Sequence, residues 1–240
     1  MKPGSQLVVI PVFNEERHIA AVLCELKKWH NDEVLVVNDG STDRTAEILG
    51  QHCGKSLNVI THGANKGYGA ALMAGFNFAI DNGFNAVVTM DADWQHQPSK
   101  VPSFFSDLLL ADIVSGSRYL AESLDNNDAP GARREINAEI TKLINAATGY
   151  KLTDGFCGFK ALRVEPLKKL LLTEMGYAFP LQFWIQAARF GLSLREISVK
   201  RIYNDLTRSF GSQQLDDPQI RRAHYRSVIE KEISRWAYVE

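Results

Sequence analysis

Ala86-Val87-Val88-Thr89-Met90-Asp91-Ala92-Asp93-Trp94-Gln95-His96-Gln97-Pro98 is an apolar run that ends in two carboxylates one residue apart. A short unbroken apolar run reads as a strand buried on both faces of a parallel sheet. Open α/β sheets bind their ligands outside the carboxyl ends of the strands. Asp91 and Asp93 therefore stand where a ligand would lie. Two hard oxygen donors there suit Mg²⁺ or Mn²⁺ carrying a phosphate-bearing substrate. Gln95 offers a neutral oxygen as a further ligand. A solvated acidic turn would contain the same two aspartates. The strand before them and the Gln-His-Gln-Pro after them weigh against that reading.

Upstream of this run the chain alternates strands and helices. Strands are expected at Leu7–Val12, Glu33–Asp39 and Leu57–Thr61, and another downstream at Asp112–Ser117. Helices are expected at Glu15–Trp29, with Ile19, Val22, Leu23 and Leu26 on one face, and from Ser41-Thr42-Asp43 onward. A third helix should run from the Gly63–Gly69 turn through Ala79, and a fourth near Pro98–Leu110. Such alternation implies parallel strands with right-handed crossovers. Asn14 and Glu15, Asp39, and the acid pair should then converge on one crevice. Asp39 could accept hydrogen bonds from a base N–H or from ribose hydroxyls, while Asp43 or Ser41 caps the next helix. Gly67-Tyr68-Gly69-Ala70 is a weak glycine signal, because Leu72 stands where a dinucleotide fingerprint needs a small residue. It reads as a helix start that brings Asn65 or Lys66 near a nucleotide.

After Tyr119 the pattern changes. Residues 121–131 are polar and read as a loop. An amphipathic helix follows, with Ile136, Ile140, Leu143, Ile144 and Ala147; its apolar face is expected to meet the core rather than a lipid. Thr153–Lys160 reads as a second loop, Pro180–Phe190 as a helix, Leu194–Lys200 as a strand and Pro218–Val239 as a charged helix. On that last helix Arg221, Arg222 and Arg226 are offset by Asp216, Asp217, Glu230 and Glu232, which suggests a solvated face. Neither a repeat nor a linker is visible, so residues 1–240 are expected to form one domain. Its nucleotide-binding part would span about 1–119 and its acceptor part about 120–240.

A hydrophobic fraction of 45% supplies a sizeable core, and a net charge of −1 offers no basic field for nucleic acid. Three cysteines without CxxC spacing argue against a disulfide framework or a zinc site and for a reducing compartment. The first apolar segment is too short for a signal peptide, and no window approaches the ~18 apolar residues of a membrane span. A cytoplasmic protein is expected, with room for peripheral contact at the cytoplasmic membrane face.

Pro11-Val12-Phe13-Asn14-Glu15-Glu16, Asn38-Asp39-Gly40-Ser41-Thr42-Asp43, Asn65-Lys66-Gly67 and Asp91-Ala92-Asp93 occur in the order and approximate spacing of a known family. The chain resembles the inverting family-2 glycosyltransferases of the GT-A fold. Asp112–Tyr119 and Thr153–Phe159 are similar to the dolichyl/polyprenyl-phosphate mannosyl- and glucosyltransferase branch. The resemblance spans about residues 6–210. It implies a Rossmann-like, mostly parallel central sheet with helices on both faces. It also implies transfer of a hexose from GDP- or UDP-hexose to a polyprenyl phosphate, with Mg²⁺ or Mn²⁺ as cofactor. Pro11, Phe13, Glu15, Asp39 and Lys66 would hold the nucleotide. Asp91, Ala92, Asp93 and Gln95 would hold the metal–diphosphate. Arg118 would lie near the acceptor phosphate or the sugar. Arg201, Arg208 and Ser209 would form a basic donor-side loop over the diphosphate. Two departures stand out: the branch usually has a tyrosine where Phe13 stands, and its acceptor-helix Arg and Ser align only loosely with Arg133, Arg134 and Asn137.

The acceptor decides the remaining chemistry. An alcohol needs a general base within hydrogen-bonding reach, for which Asp154 is the candidate. As a turn former beside Gly155, Asp154 has an equally good structural reason to be there. A phosphate, with a second pKa of about 6, is already largely ionised and needs docking cations instead. Arg118, Arg133, Arg134 and Arg201 could serve. Among rival classes, an aspartyl phosphatase would place its acid pair after the first strand. A nucleotidyltransferase would want a basic glycine-rich loop where Asn14-Glu15-Glu16 stands. A silent sugar-nucleotide binding protein would have no use for the intact acid pair.

Overall fold

The computed structural model describes residues 5–52, 56–120, 131–200, 202 and 213–237. The first half is built as its periodicity dictates. Strand β1 (Gln6–Val12), helix α1 (Ile19–Leu26), β2 (Glu33–Asn38), α2 (Thr45–His52), β3 (Leu57–Thr61), α3 (Tyr68–Asp81), β4 (Ala86–Thr89), α4 (Val101–Asp107) and β5 (Ile113–Ser117) follow in turn. Helix α1 starts four residues later than expected. Asn14 takes a left-handed backbone (φ 57°), and residues 16–18 form a turn, with the His18 and Ile19 amides donating to the Glu15 carbonyl before the regular helix begins.

The second half contributes α5 (Gly131–Thr148), β6 (Lys160–Arg163), the single turn α6 (Val164–Leu167), α7 (Phe179–Arg189), β7 (Leu194–Ser198), α8 (Gln213–Asp216) and α9 (Pro218–Ala237). The seven strands form one sheet in the order β3-β2-β1-β4-β6-β5-β7. All run in one direction except β6, which is antiparallel to both β4 and β5. Residues 153–159 form the expected loop, and only Lys160 departs from it by opening β6, a strand not expected from the sequence. Register pairs Thr89 with Lys160 and Ser115 with Lys160, so β6 wedges the two strands apart and brings the Gly158 turn to their carboxyl ends.

Side-chain alternation divides the core in two. Leu7 and Val9 of β1 face a layer that includes α3, α5, α7 and α9. Val8, Ile10 and Val12 face the layer of α1, α2 and α4. In α5, Ile136, Ile140 and Ile144 lie on one face and all are buried, so this helix meets the core as expected.

Helix α9 differs from the solvated helix read in the sequence. Arg221, Tyr225, Ile229 and Glu232 form a buried stripe along it. The Glu232 carboxylate accepts from Gln182 Nε2 at 2.8 Å and Gln186 Nε2 at 2.7 Å on α7. Arg226 pairs with Glu139 of α5 at 2.7 Å. Charge pairing between elements, which intrachain spacing on one helix does not reveal, fixes α9 against α5 and α7. The polar stretch 121–130 and the candidates Arg201, Arg208 and Ser209 lie outside the described residues.

Candidate active site

The carboxyl ends of β1 and β2 are laced together. Asn14 Oδ1 accepts from the Thr42 amide at 2.8 Å, and Ser41 Oγ accepts from the Asn14 amide at 2.9 Å. Asp43 accepts from the Glu16 amide at 3.1 Å and from the Thr45 amide at 2.9 Å, which places it at the start of α2 as expected of a capping residue. Glu15 is buried and meets His18 Nδ1 at 3.0 Å. Phe13 is left 43% exposed, an aromatic face open to the crevice edge beyond β1.

Asp39 is buried and already engaged. Its Oδ1 accepts from the Lys66 amide at 3.0 Å and lies 2.7 Å from His62 Nδ1, and its Oδ2 accepts from the Gly67 amide at 2.8 Å. It therefore straps β2 to the turn that opens α3. Gly67, at φ 106°, has no room for a side chain: a Cβ would fall 2.4 Å from the Met175 carbonyl oxygen. That close approach sets Tyr68 at the helix start, stacked on Tyr177 with ring centroids 5.7 Å apart.

Asp91 and Asp93 follow β4 as the sequence implies. The Asp91 amide donates to His96 Nδ1 at 2.9 Å, which makes that nitrogen an acceptor and the imidazole neutral. Burial drives His96 down to about 3, and its ring stacks on Phe159 at 4.9 Å. Tyr68 donates its hydroxyl to the Asp91 carboxylate, and burial first, then Asp91, pushes the phenol well above its ordinary range. Asp93 Oδ1 accepts from the Gln95 amide at 3.0 Å, and its Oδ2 from Gln95 Nε2 at 2.8 Å. Gly158 closes against this turn. A Cβ there would lie 2.6 Å from Tyr68 Oη and 3.0 Å from Asp91 Oδ2.

Arg118 and Asp154 form the second half of the site. Arg118 Nε donates to Asp154 Oδ2 at 2.6 Å and Nη2 to Oδ1 at 2.9 Å, a two-pronged pair. Asn137 Nδ2 and the Phe156 amide also donate to Oδ1, at 2.8 and 3.1 Å. Asp154 is 0% exposed. Burial alone would raise its pKa, but Arg118 and Asn137 outweigh it and hold the carboxyl at about 2. A carboxylate with its lone pairs filled, and so weak a base, suits an anchor for Arg118 rather than the general base considered for an alcohol acceptor.

One open cleft unites these groups. Asp91, Asp93, Gln95 and His96 line one side of it, with Tyr68 and Gly158. Arg118, Arg133 and Asn137 line it too, together with Arg221 and Tyr225 from α9. Pro11, Phe13, Glu15, Asp39 and Lys66 do not line it; they stand at or just past the carboxyl ends of β1 and β2 and on the turn that opens α3. Among the described residues no three His, Cys, Asp or Glu side chains gather as a self-sufficient metal cage. Two carboxylates beside an open cleft fit the other way of binding Mg²⁺, in which substrate phosphates complete the shell.

Sequence reasoning missed Tyr68, His96, Tyr177 and Gly158, and read Arg221 as solvated. Gly67 and Gly69 beside Tyr68, and the glycine in Cys157-Gly158-Phe159, were the available signals of close approach. Nothing local to Arg221 could have placed it. Cys157 is buried, and that burial pushes its thiol up to about 11.

A mostly parallel sheet with an acid pair after β4 and a wedged antiparallel β6 is the GT-A architecture of sugar-transferring enzymes. The chain belongs to glycosyl transferase family 2, whose model matches residues 7–171, and it is a glycosyltransferase. It is 33% identical over 209 residues to an uncharacterised protein of Methanocaldococcus jannaschii, covering 85% of this chain and 84% of that one. It is 29% identical over 209 residues to undecaprenyl-phosphate mannosyltransferase of Micrococcus luteus, covering 85% and 86%. Among solved structures it is similar to glucosyl-3-phosphoglycerate synthase of Mycobacterium tuberculosis, in complex with Mn²⁺, uridine diphosphate and glucosyl-3-phosphoglycerate. The TM-score is 0.70 at 20% identity, over 97% of this chain and 81% of that one, a likeness of fold.

Proposed function

We propose that the protein transfers a hexose, with inversion, from a nucleotide sugar to a polyprenyl phosphate in the presence of Mg²⁺ or Mn²⁺. The observation that carries this reading is the division of charge within one cleft: carboxylates at Asp91 and Asp93, guanidiniums at Arg118 and Arg133, and Asp154 committed to Arg118 rather than offered as a base. An anionic acceptor needs that arrangement, and an alcohol does not profit from it. The names of the relatives support the same reading, among them the Micrococcus mannosyltransferase and a polyprenol monophosphomannose synthase of Mycolicibacterium smegmatis, 27% identical over 228 residues.

In this reading Asp91 and Asp93, with Gln95, would hold the divalent cation and through it the donor diphosphate. Bound there, the cation would offset the charge that develops on the departing nucleoside diphosphate. Tyr68 sets the Asp91 carboxylate, the His96 ring holds the Asp91 amide, and Gln95 sets Asp93. The exposed Phe13 ring provides a surface for the base, Pro11 and Glu15 shape the same edge, and Asp39 holds the Lys66-Gly67 turn beside it. Arg118, oriented by Asp154, and Arg133 dock the acceptor phosphate, whose own oxygen attacks. Arg201, Arg208 and Ser209 would close over the diphosphate. No helix among the described residues is long and apolar enough to cross a membrane. A lipid-borne acceptor would be met by peripheral contact, for which we propose the cytoplasmic membrane face.

The test is incubation of the protein with a short-chain polyprenyl phosphate, a panel of GDP- and UDP-hexoses and Mg²⁺ or Mn²⁺, with mass spectrometry of the lipid. A hexosyl-phosphoryl lipid from at least one donor is expected. Product from polyprenol but not from polyprenyl phosphate would sink the reading. Asp93→Ala should weaken donor binding at least ~tenfold in calorimetry, and a chelator should do the same to the parent. Equal affinity with and without chelator would remove the cation from the account.

A further inference from the structure

We infer that Lys160, buried beneath the floor of the cleft, is a positioning residue for sugar transfer: its ammonium pins the Cys157 carbonyl and so holds Gly158 against Tyr68 and Asp91. The inference rests on the proposed role of Asp91 at the donor diphosphate, and it adds a residue that does not itself line the cleft.

A lysine on a central strand needs a reason. Lys160 opens β6 between Thr89 of β4 and Ser115 of β5, and it is only 7% exposed. Lysine is almost never this buried without compensation, and an apolar side chain would fill the same space with no charge to desolvate. Burial lowers its pKa, against the pull of Cys157, Asp154 and Asp91. The compensation is local. Nζ donates to the Cys157 carbonyl and lies 5.2 Å from the centroid of the Trp184 ring, a cation–π distance. Trp184 in turn donates Nε1 to the Gly155 carbonyl at 2.9 Å. Strand β6 and helix α7 thus each take one carbonyl of the 153–159 loop.

The two halves of that loop have different anchors. Asp154 and Gly155 are held by Arg118, Asn137, Thr141 and Trp184. Beyond Phe156 the fixed points are the Cys157 carbonyl, taken by Lys160, and the Gly158 carbonyl, which accepts from Thr89 Oγ1 at 2.7 Å. Gly158 meets Tyr68 Oη and Asp91 Oδ2 so closely that a Cβ has no room. Behind this contact lies a small, mainly apolar cavity lined by Lys160 together with Tyr68, Gly158, Phe179 and Phe183. Without the ammonium the turn can sink into that space, and Tyr68 and Asp91 lose the surface that sets them. A shift of about 1 Å at reacting groups costs on the order of 10²-fold in rate. Lys160 therefore contributes geometry at the donor end rather than stability to the fold.

The test compares the parent with K160M, K160R and L162A. Hydrolysis of a GDP- or UDP-hexose in the presence of Mg²⁺ or Mn²⁺, a partial reaction that needs no acceptor, is measured alongside melting curves and crystal structures. K160M should lower kcat ~10- to 100-fold and show Gly158 displaced from Tyr68 and Asp91. Its melting midpoint should stay within about 4 °C of the parent's, since a lost hydrogen bond and a relieved buried charge offset one another. K160R keeps the charge and the donors and should recover part of the rate. L162A, a cavity on the same strand, should melt ~5 °C or more below the parent and keep kcat within about twofold. A K160M kcat within about twofold of the parent's, a Gly158 that keeps its place, or a K160M that melts as low as L162A would overturn the inference. Should K160M fail to fold, K160Q is held to the same criteria, and a second failure to fold also overturns it. A parent that glycosylates no polyprenyl phosphate would sink the proposed acceptor, and hydrolysis that ignores a chelator would sink the proposed cation. In either case kcat and the position of Gly158 still judge Lys160.

Discussion

Asp154 shows how one buried carboxylate can serve the fold and the chemistry together. Its charge is held in place by Arg118, Asn137 and the Phe156 amide, so breaking the pair leaves a guanidinium without its counter-charge at the cleft wall. Asp154→Asn should cost roughly 3–5 kcal/mol of stability at neutral pH, as removal of one partner of a buried ion pair does. Its pH signature has a definite sign. The folded pKa of about 2 lies below the ordinary 3.8, so the charged form is favoured in the fold. That contribution is complete above pH ~4 and fades as pH falls toward 2. Urea titrations of parent and variant should therefore differ most at pH 7, and the gap should narrow as pH falls through 3 to about 2. A gap that does not change with pH would mean that the lost packing, not the charge, accounts for the cost. Gly158 gives a second prediction at this scale. In Gly158→Ala the new methyl displaces Tyr68 Oη and Asp91 Oδ2, so turnover should fall at least ~tenfold while stability drops by ~1–3 kcal/mol. Unchanged donor KM and kcat in this variant would show that the Tyr68–Asp91 contact does not matter to catalysis.

At the scale of elements, two kinds of polar contact hold α9. Glu232 is buried and accepts from Gln182, Gln186 and Trp236, whereas Glu139 lies at the surface opposite Arg222 and Arg226. Glu232→Ala would strand buried amide donors and should cost roughly 2–4 kcal/mol; Glu139→Ala should cost under about 1 kcal/mol. Chemical denaturation of the two variants side by side checks the ordering, and equal costs would contradict it. The same elements mark what the sequence could and could not reveal. Strands β1 to β5 were legible because each is an apolar run bounded by turn residues, and their parallel pairing follows from the helices between them. β6 was not: Lys160-Ala161-Leu162-Arg163 is four residues with a charge at each end. It becomes a strand only because β4 and β5 offer it two partners distant in sequence. Helix α9 was legible as a helix but not as a packed element, since Arg222 and Arg226 find their acids on α5 rather than on α9 itself.

For the molecule as a whole, the proposed function puts donor chemistry and acceptor chemistry at the same edge of the sheet, and this is where the candidate site was most and least legible. The acid pair and Arg118 were visible as motifs at strand ends, and Asp154 as part of a loop motif. Their division of labour was not, because whether a carboxylate is a base or an anchor depends on lone pairs filled from α5 and the 153–159 loop. The assembled cleft makes a kinetic prediction that neither half makes alone. Asp154 at about 2, His96 at about 3 and Tyr225 at about 12 all titrate far from neutrality. On the proposed function the acceptor phosphate, with a second pKa of about 6, is then the group that should govern the acid limb. Log kcat/KM for the acceptor should rise with unit slope up to pH ~6 and run flat from there to pH ~9. That limb belongs to the substrate, so it should move when the phosphate is replaced by a phosphonate of different second pKa, and it should stay in place in Asp154→Asn. A limb that ignores the phosphonate but shifts with an enzyme substitution would mean that a side chain, not the acceptor's own oxygen, supplies the base. The attacking group would then have to be sought among alcohols.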